Sequence, residues 1–343
     1  MAIILGLESS CDDSAAALVT SERQILAQAI IGQDEAHRPF GGVVPEIAAR
    51  AHVEILPVLI RQVLTEADVA IGEVDAIAAT AGPGLIGGVM VALLAGKGLS
   101  LSTGKPLVAV NHLEGHALSP RLVDPDLAFP YLLLLASGGH CQLLEVRGIG
   151  DYRRLATTID DAAGEAFDKA AKLLGLPYPG GPAIEALAKD GDPAAVPLPR
   201  PLVGSGEPHF SFAGLKSAVQ RAVVTGDYRP ADIAASFQQA VVDCMVDRTA
   251  IALDGTDAPT IVVAGGVAAN RALRSELAEL AERNGRAFSV PPAWLCTDNA
   301  AMIGWAGVER LAAGFIDDLD APARARWPLD PDAEKVRGAG VKA

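Results

Sequence analysis

Two stretches of the chain share one pattern, in which short apolar runs flank a polar turn. The first covers residues 2 to 20, with a polar tip at 8–14, and the second covers residues 131 to 146, with a tip at 137–140. Such a pattern predicts β-hairpins. Because the two hairpins lie about one domain length apart, we expect two similar lobes that face each other across a cleft.

The remaining periodicities predict alternating helices and strands, which indicate an α/β fold. Residues 1–129 are predicted to form an N-terminal lobe, and residues 130–325 a C-terminal lobe whose last helix is free to return to the first lobe. Residues 326–343 should form a flexible tail. Helices are expected at 47–65, 88–101, 164–174, 214–224, 232–253 and 298–313, and further strands at 74–80, 107–110 and 260–264.

Composition changes the picture in two respects. Half of the 343 residues are apolar but only 4% are aromatic, so the core should consist mainly of Ala, Val, Leu and Ile. The net charge of −14 argues against a chain that binds nucleic acid through a global positive field. Any stable RNA contact would need partner proteins or a local basic strip, for which Lys169, Lys172, Lys216 and Arg221 are candidates.

Targeting and redox signals favour a cytoplasmic protein. The four cysteines are far apart and show no C-x-x-C spacing, which indicates neither a zinc knuckle nor a disulfide framework. The apolar run at the N-terminus is too short for a signal peptide, and no window is expected to approach a membrane span.

The strongest chemical signal is the histidine pair His112 and His116. Asn111 is a good N-cap, and Glu114 follows it by three residues, so a helix should begin here. A spacing of four places both imidazoles on one helix face, where two ring nitrogens can bind one metal ion. Two surface histidines are the plain alternative. The motif is not the H-E-x-x-H motif of zinc proteases, in which the glutamate directly follows the first histidine. Here Glu114 lies midway between the histidines and points elsewhere on the helix.

Asp298 is the best candidate for a third metal ligand, since it is an acid at an expected helix start. The same position suits an ordinary N-cap equally well. Spacing alone leaves both interpretations open.

Three glycine-rich segments are candidates for phosphate-binding turns. Residues 82–88 match G-x-G-x-x-G but lack the acidic residue about twenty positions later, so we interpret them as a tight strand-to-helix turn. Ser137, Gly138 and Gly139 at a hairpin tip form a better phosphate-binding turn, with a plain tight hairpin as the alternative. Residues 264–270 give a second turn, whose Asn270 amide could contact a base or ribose.

A dense acidic segment, residues 160–169, is expected to form a solvated helix start. Asp168 differs, because it lies in the helix body and could face the cleft. Glu185 lies one helical turn beyond a Pro-Gly-Gly-Pro turn and would suit a ribose hydroxyl.

Taken together, these motifs make the sequence resemble the tRNA N6-adenosine threonylcarbamoyltransferase family, TsaD, over nearly its whole length. Two small departures are Asp13, where the family commonly has glutamate, and Cys141, where threonine is common. The resemblance rests on ESSCD (8–12), GGVVPE (41–46), AGPGL (81–85), HLEGH (112–116), SGGH (137–140), DDAAGEAFDK (160–169), YPGGP (178–182), FSFAGLK (210–216), AGGVAAN (264–270) and CTDN (296–299).

The resemblance implies an actin-like, sugar-kinase-like fold of two ribonuclease-H-like lobes around a nucleotide cleft. It also implies that His112, His116 and Asp298 hold one divalent metal ion per chain, Fe²⁺ in the first place or Zn²⁺. The AMP part of the substrate would be bound by Leu135, Ala136, Ser137, Gly138, Gly139, Asp168, Gly181, Glu185 and Asn270.

The family reaction passes a threonylcarbamoyl group from threonylcarbamoyl-AMP to N6 of the adenosine just 3′ of the anticodon, in tRNAs that read codons beginning with A. The implied partners are tRNA, the inactive paralogue TsaB and the ATPase TsaE, without a membrane. We expect no side chain, Cys11 and Asp12 included, to act as a covalent nucleophile. The rival hypotheses are an ATP-dependent kinase or ATPase of the same fold, a metalloprotease and a non-enzymatic scaffold.

Overall fold

The computed structural model describes residues 1–40 and 42–336. Contacts between residues divide the chain into two compact units. The first unit comprises Met1–Asp126 and Asp298–Pro331, and the second comprises Leu127–Thr297 and, among the described residues, 332–336. The domain bounds expected from the sequence, 1–129, 130–325 and 326–343, remain a prediction. Gly41 of the second motif and residues 337–343 of the predicted tail lie outside the described residues.

The first unit is built on one mixed sheet of five strands in the order β3-β2-β1-β4-β5. β1 pairs antiparallel with β2 and parallel with β4, and β4 pairs parallel with β5. The elements are β1 (Ile3–Glu8), β2 (Asp13–Thr20), β3 (Ile25–Gly32), α1 (Asp34–His37), α2 (Pro45–Glu66), β4 (Ala76–Gly82), α3 (Ile86–Thr103), β5 (Leu107–Asn111) and α4 (His112–Val123).

The second unit repeats this plan and is followed by a helix that belongs to the first unit. Its sheet has the order β10-β9-β6-β7-β8. The elements are β6 (Tyr131–Ala136), β7 (Cys141–Gly148), β8 (Asp151–Thr157), α5 (Ala163–Leu173), α6 (Gly180–Ala188), α7 (Ala213–Thr225), α8 (Pro230–Leu253), β9 (Thr260–Ala264), α9 (Arg271–Arg283), β10 (Ala287–Ser289), α10 (Ala293–Cys296) and α11 (Ala300–Ala312).

The two sheets have the same topology, because the order 8-7-6-9-10 corresponds strand for strand to 3-2-1-4-5. In both, a three-stranded antiparallel meander precedes two parallel strands. The predicted pair of hairpins and the α/β fold class are therefore confirmed. Six of these elements were not predicted, namely β3, β8, β10, α1, α6 and α10.

Helix α11 lies very close to the first sheet. It packs on β1, β2 and β4 and against α4. A Cβ added to Gly6 would come within 3 Å of the backbone of Ala300 and Gly304, and one added to Gly304 would meet Val19. Glycine is therefore required on both sides of this contact, which sets the depth at which α11 lies.

Helix α3 is long and apolar enough to cross a membrane by length and composition. The expectation that no window approaches a membrane span was therefore wrong. The helix packs against β4 and α2 with one face. Its outward face is also apolar, with Ile86, Met90, Leu94 and Leu101 exposed at 44% to 72% of their surface.

The segment after α11 runs back along the first unit. The backbone N–H of Arg324 donates to the carbonyl of Ala81, and the side chain of Asn111 donates to the carbonyl of Trp327. Trp327 belongs to the predicted tail, yet it packs with Leu93 and Leu107. The segment therefore supports the turn after β4 and the residue that precedes His112.

We expect Gly6→Ala to destabilise the protein by about 1–3 kcal/mol, because the new methyl group would overlap the backbone of α11. Urea unfolding of the metal-free chain measures this. Gly98→Ala is the matched control, since Gly98 is exposed in α3 and its added Cβ would meet nothing within 4 Å. That variant should gain about 0.5–1 kcal/mol. Equal stability of Gly6→Ala and the wild type would contradict the close contact.

Candidate functional site

His112 and His116 lie on one face of α4, which begins directly after β5. Asn111 caps the helix, since its side chain accepts a hydrogen bond from the N–H of Leu113. Both imidazoles are buried, and their ring centroids are 4.8 Å apart. The predicted cap and the shared face are confirmed.

Asp298 lies beside these two histidines. Its Oδ1 is 3.0 Å from Nε2 of His116 and 3.4 Å from Nε2 of His112. The N-cap of α11 is the next residue, Asn299, whose side chain accepts from the N–H of Met302. The N-cap interpretation of Asp298 was therefore wrong, and its carboxylate is directed at the histidines.

The geometry of these three side chains fits a metal ion. One ligand atom from each residue lies within 4.8 Å of the others. Ligands about 2.0–2.2 Å from a tetrahedral ion are roughly 3.3–3.6 Å apart, so small adjustments would complete the coordination. Two imidazoles and one carboxylate suit Fe²⁺ or Zn²⁺ and leave positions for a substrate oxygen or water.

The charges around the site favour a cation between these groups. Burial would raise the pKa of Asp298, but His112 and His116 outweigh it and hold that pKa well below its usual value. Burial would lower the pKa of His112, but the carboxylates of Glu8 and Asp298 hold it well above its usual range. Both shifts mean that the two carboxylates stabilise positive charge at this position.

Glu114 has a structural partner on α11. It is buried, and its Oε2 accepts a hydrogen bond from Nη1 of Arg310 at 2.9 Å. A second pair, Arg121 with Glu309, joins the same two helices at 2.8 Å. Glu114 thus points away from the histidines, as predicted, and the two ion pairs fix α4 relative to α11.

Cys11, which lies between β1 and β2, is a poor nucleophile. Burial raises the pKa of its thiol, and the adjacent Asp12 raises it further. The thiolate is the reactive form of cysteine. The raised pKa therefore agrees with the expectation that Cys11 forms no covalent intermediate.

In the second unit, the turn between β6 and β7 follows the buried ends Leu135 and Ala136. The N–H of Ser137 donates to the carbonyl of His140, which closes the turn. The start of α5 touches it, because a Cβ on Gly164 would come within 3 Å of the Ser137 carbonyl. An added Cβ on Gly138 or Gly139 would meet no atom within 4 Å.

The other expected adenylate residues form a continuous series of contacts in the same unit. Oδ1 of Asp168 accepts from the N–H of Gly180, directly before Gly181. Oε1 of Glu185 accepts from the N–H of Arg271 at the start of α9. Asn270 caps α9, and its amide also donates to Gln238 at 2.9 Å. These side chains therefore support the starts of α6 and α9.

The acidic segment before α5 is not a solvated helix start. Asp160 accepts hydrogen bonds from the hydroxyl of Ser211 and from the N–H of Phe212, next to the start of α7. Lys169 forms ion pairs with Asp161 and Glu165, at 2.7 and 2.8 Å. The charge of Lys169 is thus largely neutralised, which weakens it as part of a basic strip for tRNA.

The duplicated mixed sheet and the His-His-Asp cluster define an actin-like α/β protein with a candidate metal centre. Two solved structures share this fold. Component A of the (R)-2-hydroxyglutaryl-CoA dehydratase of Acidaminococcus fermentans aligns with a TM-score of 0.55 at 16% identity, over 91% of this chain and 100% of its own. Full-length HypF in its phosphate- and nucleotide-bound form aligns with a TM-score of 0.60 at 14% identity, over 91% of this chain and 46% of its own.

Sequence comparison then gives the family. The model of TsaD, tRNA N6-adenosine threonylcarbamoyltransferase, matches residues 24–305. A curated relative of that name from Sphingopyxis alaskensis is 70% identical over 344 residues, which cover 100% of both chains. The chain belongs to the TsaD family of transferases.

Two residues near the cluster were not singled out from the sequence. Glu8 appears there only as the first letter of a motif, and Arg310 not at all. Glu8 could have been found, because β1, β4 and β5 are parallel and their carboxyl ends meet at one edge of the sheet. Arg310 could not, because it lies 196 residues from Glu114.

We expect Arg310→Met to destabilise the protein by about 3 kcal/mol, because it leaves the carboxylate of Glu114 buried without its partner. Urea unfolding measures the change. The double variant Glu114→Leu with Arg310→Met should recover most of the loss, since it removes both charges. If the two single changes simply add in the double variant, the pair is not coupled.

Proposed function

We propose that this chain transfers a threonylcarbamoyl group from threonylcarbamoyl-AMP to N6 of the adenosine just 3′ of the anticodon, in tRNAs that read codons beginning with A. The observation that carries the proposal is the convergence of His112, His116 and Asp298 in a chain of the TsaD family. These residues would hold one divalent ion, Fe²⁺ or Zn²⁺.

The chemistry explains why such a site is needed. The exocyclic amine of adenine is a poor nucleophile, so the acyl donor needs a good leaving group, which AMP supplies. A bound divalent ion would polarise the donor carbonyl. The chain's own task is to hold donor and amine in the reactive orientation, and this requires no covalent intermediate.

The second unit would bind the adenylate. The turn Ser137–Gly139 would offer the backbone N–H groups of Gly138 and Gly139 at the carboxyl end of β6, where ligands commonly bind in α/β sheets. Contacts to the sugar and base are assigned to Asp168, Gly181, Glu185 and Asn270. Leu135 and Ala136 would support the turn from within the strand.

Partner proteins are expected because the chain is acidic, while its substrate is a polyanion. The exposed apolar face of α3, formed by Ile86, Met90, Leu94 and Leu101, is typical of a protein interface. We assign it to the paralogue TsaB. TsaE would supply the ATPase activity, and the whole complex would act in the cytoplasm.

The first test is reconstitution of transfer from threonylcarbamoyl-AMP to unmodified tRNA, with and without the partner proteins. His112→Ala should lose its metal ion and reduce transfer at least about 100-fold, because the donor carbonyl is no longer polarised. His209→Ala is the control, since His209 belongs neither to the three metal ligands nor to the residues expected to bind the adenylate. Wild-type transfer and metal content in His112→Ala would disprove the proposal, and ATP hydrolysis without transfer would favour the kinase alternative.

A second test addresses the adenylate region. Gly164→Ala would place a methyl group within 3 Å of Ser137 and Gly138 and displace the turn. We expect AMP to bind about tenfold more weakly, as measured by calorimetry. Gly255→Ala is the control, because its methyl group would make only an ordinary contact, 3.5 Å from the carbonyl of Ala252. Unchanged AMP affinity in Gly164→Ala would remove the turn from the site.

A further inference from the structure

Glu8 is a fully buried acid that the proposed reaction does not use. It ends β1, and the neighbouring parallel strands β4 and β5 bring Thr80 and His112 to the same edge of the sheet. Oε2 of Glu8 lies 2.9 Å from Nδ1 of His112 and 2.6 Å from the hydroxyl of Thr80. The other oxygen accepts from the N–H of Ser10. A buried carboxylate is therefore fixed against the ring of a proposed metal ligand.

These contacts determine which nitrogen of His112 carries hydrogen. The hydroxyl of Thr80 and the N–H of Ser10 can only be satisfied if the Glu8 oxygens accept. Nδ1 of His112 must then donate to Oε2, with the hydroxyl oxygen of Ser10 3.1 Å from the same nitrogen. In the neutral ring this leaves the lone pair on Nε2, the atom that faces Asp298 at 3.4 Å.

The second histidine has no such support. Nδ1 of His116 is buried and has no hydrogen-bond partner among the residues that the structure describes. The Glu8 contact therefore distinguishes two ligands that the sequence spacing makes equivalent. A ligand ring whose other nitrogen is held by a carboxylate is oriented and made more basic, and loss of such a contact commonly costs 10–100-fold in metal affinity.

We propose that Glu8 is a positioning residue of the metal centre, which holds His112 in the tautomer and orientation that direct Nε2 at the ion. The inference rests on the proposed metal site. It assigns a role to the first residue of the ESSCD segment, and it explains why Thr80, a polar residue inside a buried strand, lies beside that segment.

The test is the Zn²⁺ affinity of the purified full chain, measured by competition with a chromophoric chelator. Glu8→Gln keeps the volume of the side chain and should weaken Zn²⁺ binding about 10–100-fold. The matched control is Asp232→Asn, which neutralises another buried acid, in the second unit, whose partner is Arg229. It should leave the affinity within about threefold.

A second measurement reports the hydrogen bond itself. Nitrogen-15 NMR of the metal-free protein should show a protected imidazole N–H at Nδ1 of His112, assigned by its loss in His112→Ala. The signal should be absent in Glu8→Gln and present in Asp232→Asn. If Glu8→Gln does not fold, Glu8→Asp keeps the charge but withdraws the carboxylate from Nδ1, and a similar loss of affinity is expected.

The outcomes separate the two proposals. A wild type that binds no Zn²⁺ would disprove the metal centre, and the role of Glu8 with it. Wild-type affinity in Glu8→Gln, or an equal loss in Glu8→Gln and Asp232→Asn, would overturn the role of Glu8 alone and leave the metal centre intact.

Discussion

The close contact between α11 and the first sheet determines where the candidate metal site can form. Gly6 on β1 and Gly304 on α11 let the two backbones approach to a distance that any side chain would prevent. Asn299 then caps the helix and leaves Asp298 one residue outside it, level with the imidazoles of α4. A carboxylate that lies 182 residues after His116 in the chain thus reaches both histidines.

Buried ion pairs fix α4, α11 and the side chains of the candidate metal site relative to one another. Three acids near the site are paired: Glu8 and Asp298 both contact His112, Asp298 also contacts His116, and Glu114 contacts Arg310. An unpaired charge in a low-dielectric interior is costly, so each of these acids is held by its partner. The ion pair of Glu114 therefore fixes the helices, while Glu8 and Asp298 are left to shape the cation site.

The sequence predicted what depends on local spacing. The two hairpins, the N-cap Asn111 and the shared face of the histidines each follow from residues within a few positions of one another. β3 and β8 were missed because both are partly exposed edge strands without a clean alternation of apolar and polar residues. α6 was missed because its first residues are Gly-Gly-Pro, which normally indicate a turn. Asp298 was predicted as a ligand beside the two histidines, but the pairing of Glu114 with Arg310 follows only from the return of α11.

The second unit uses its polar residues differently. Asp168, Glu185 and Asn270 are already hydrogen-bonded to backbone N–H groups at the starts of α6 and α9. These contacts indicate how the three residues would contribute to adenylate binding. Each carboxylate or amide fixes a helix start in the same unit as the Ser137–Gly139 turn, so these side chains would act in adenylate binding by positioning backbone N–H groups. The position of these helix starts would then matter as much for affinity as the side chains themselves.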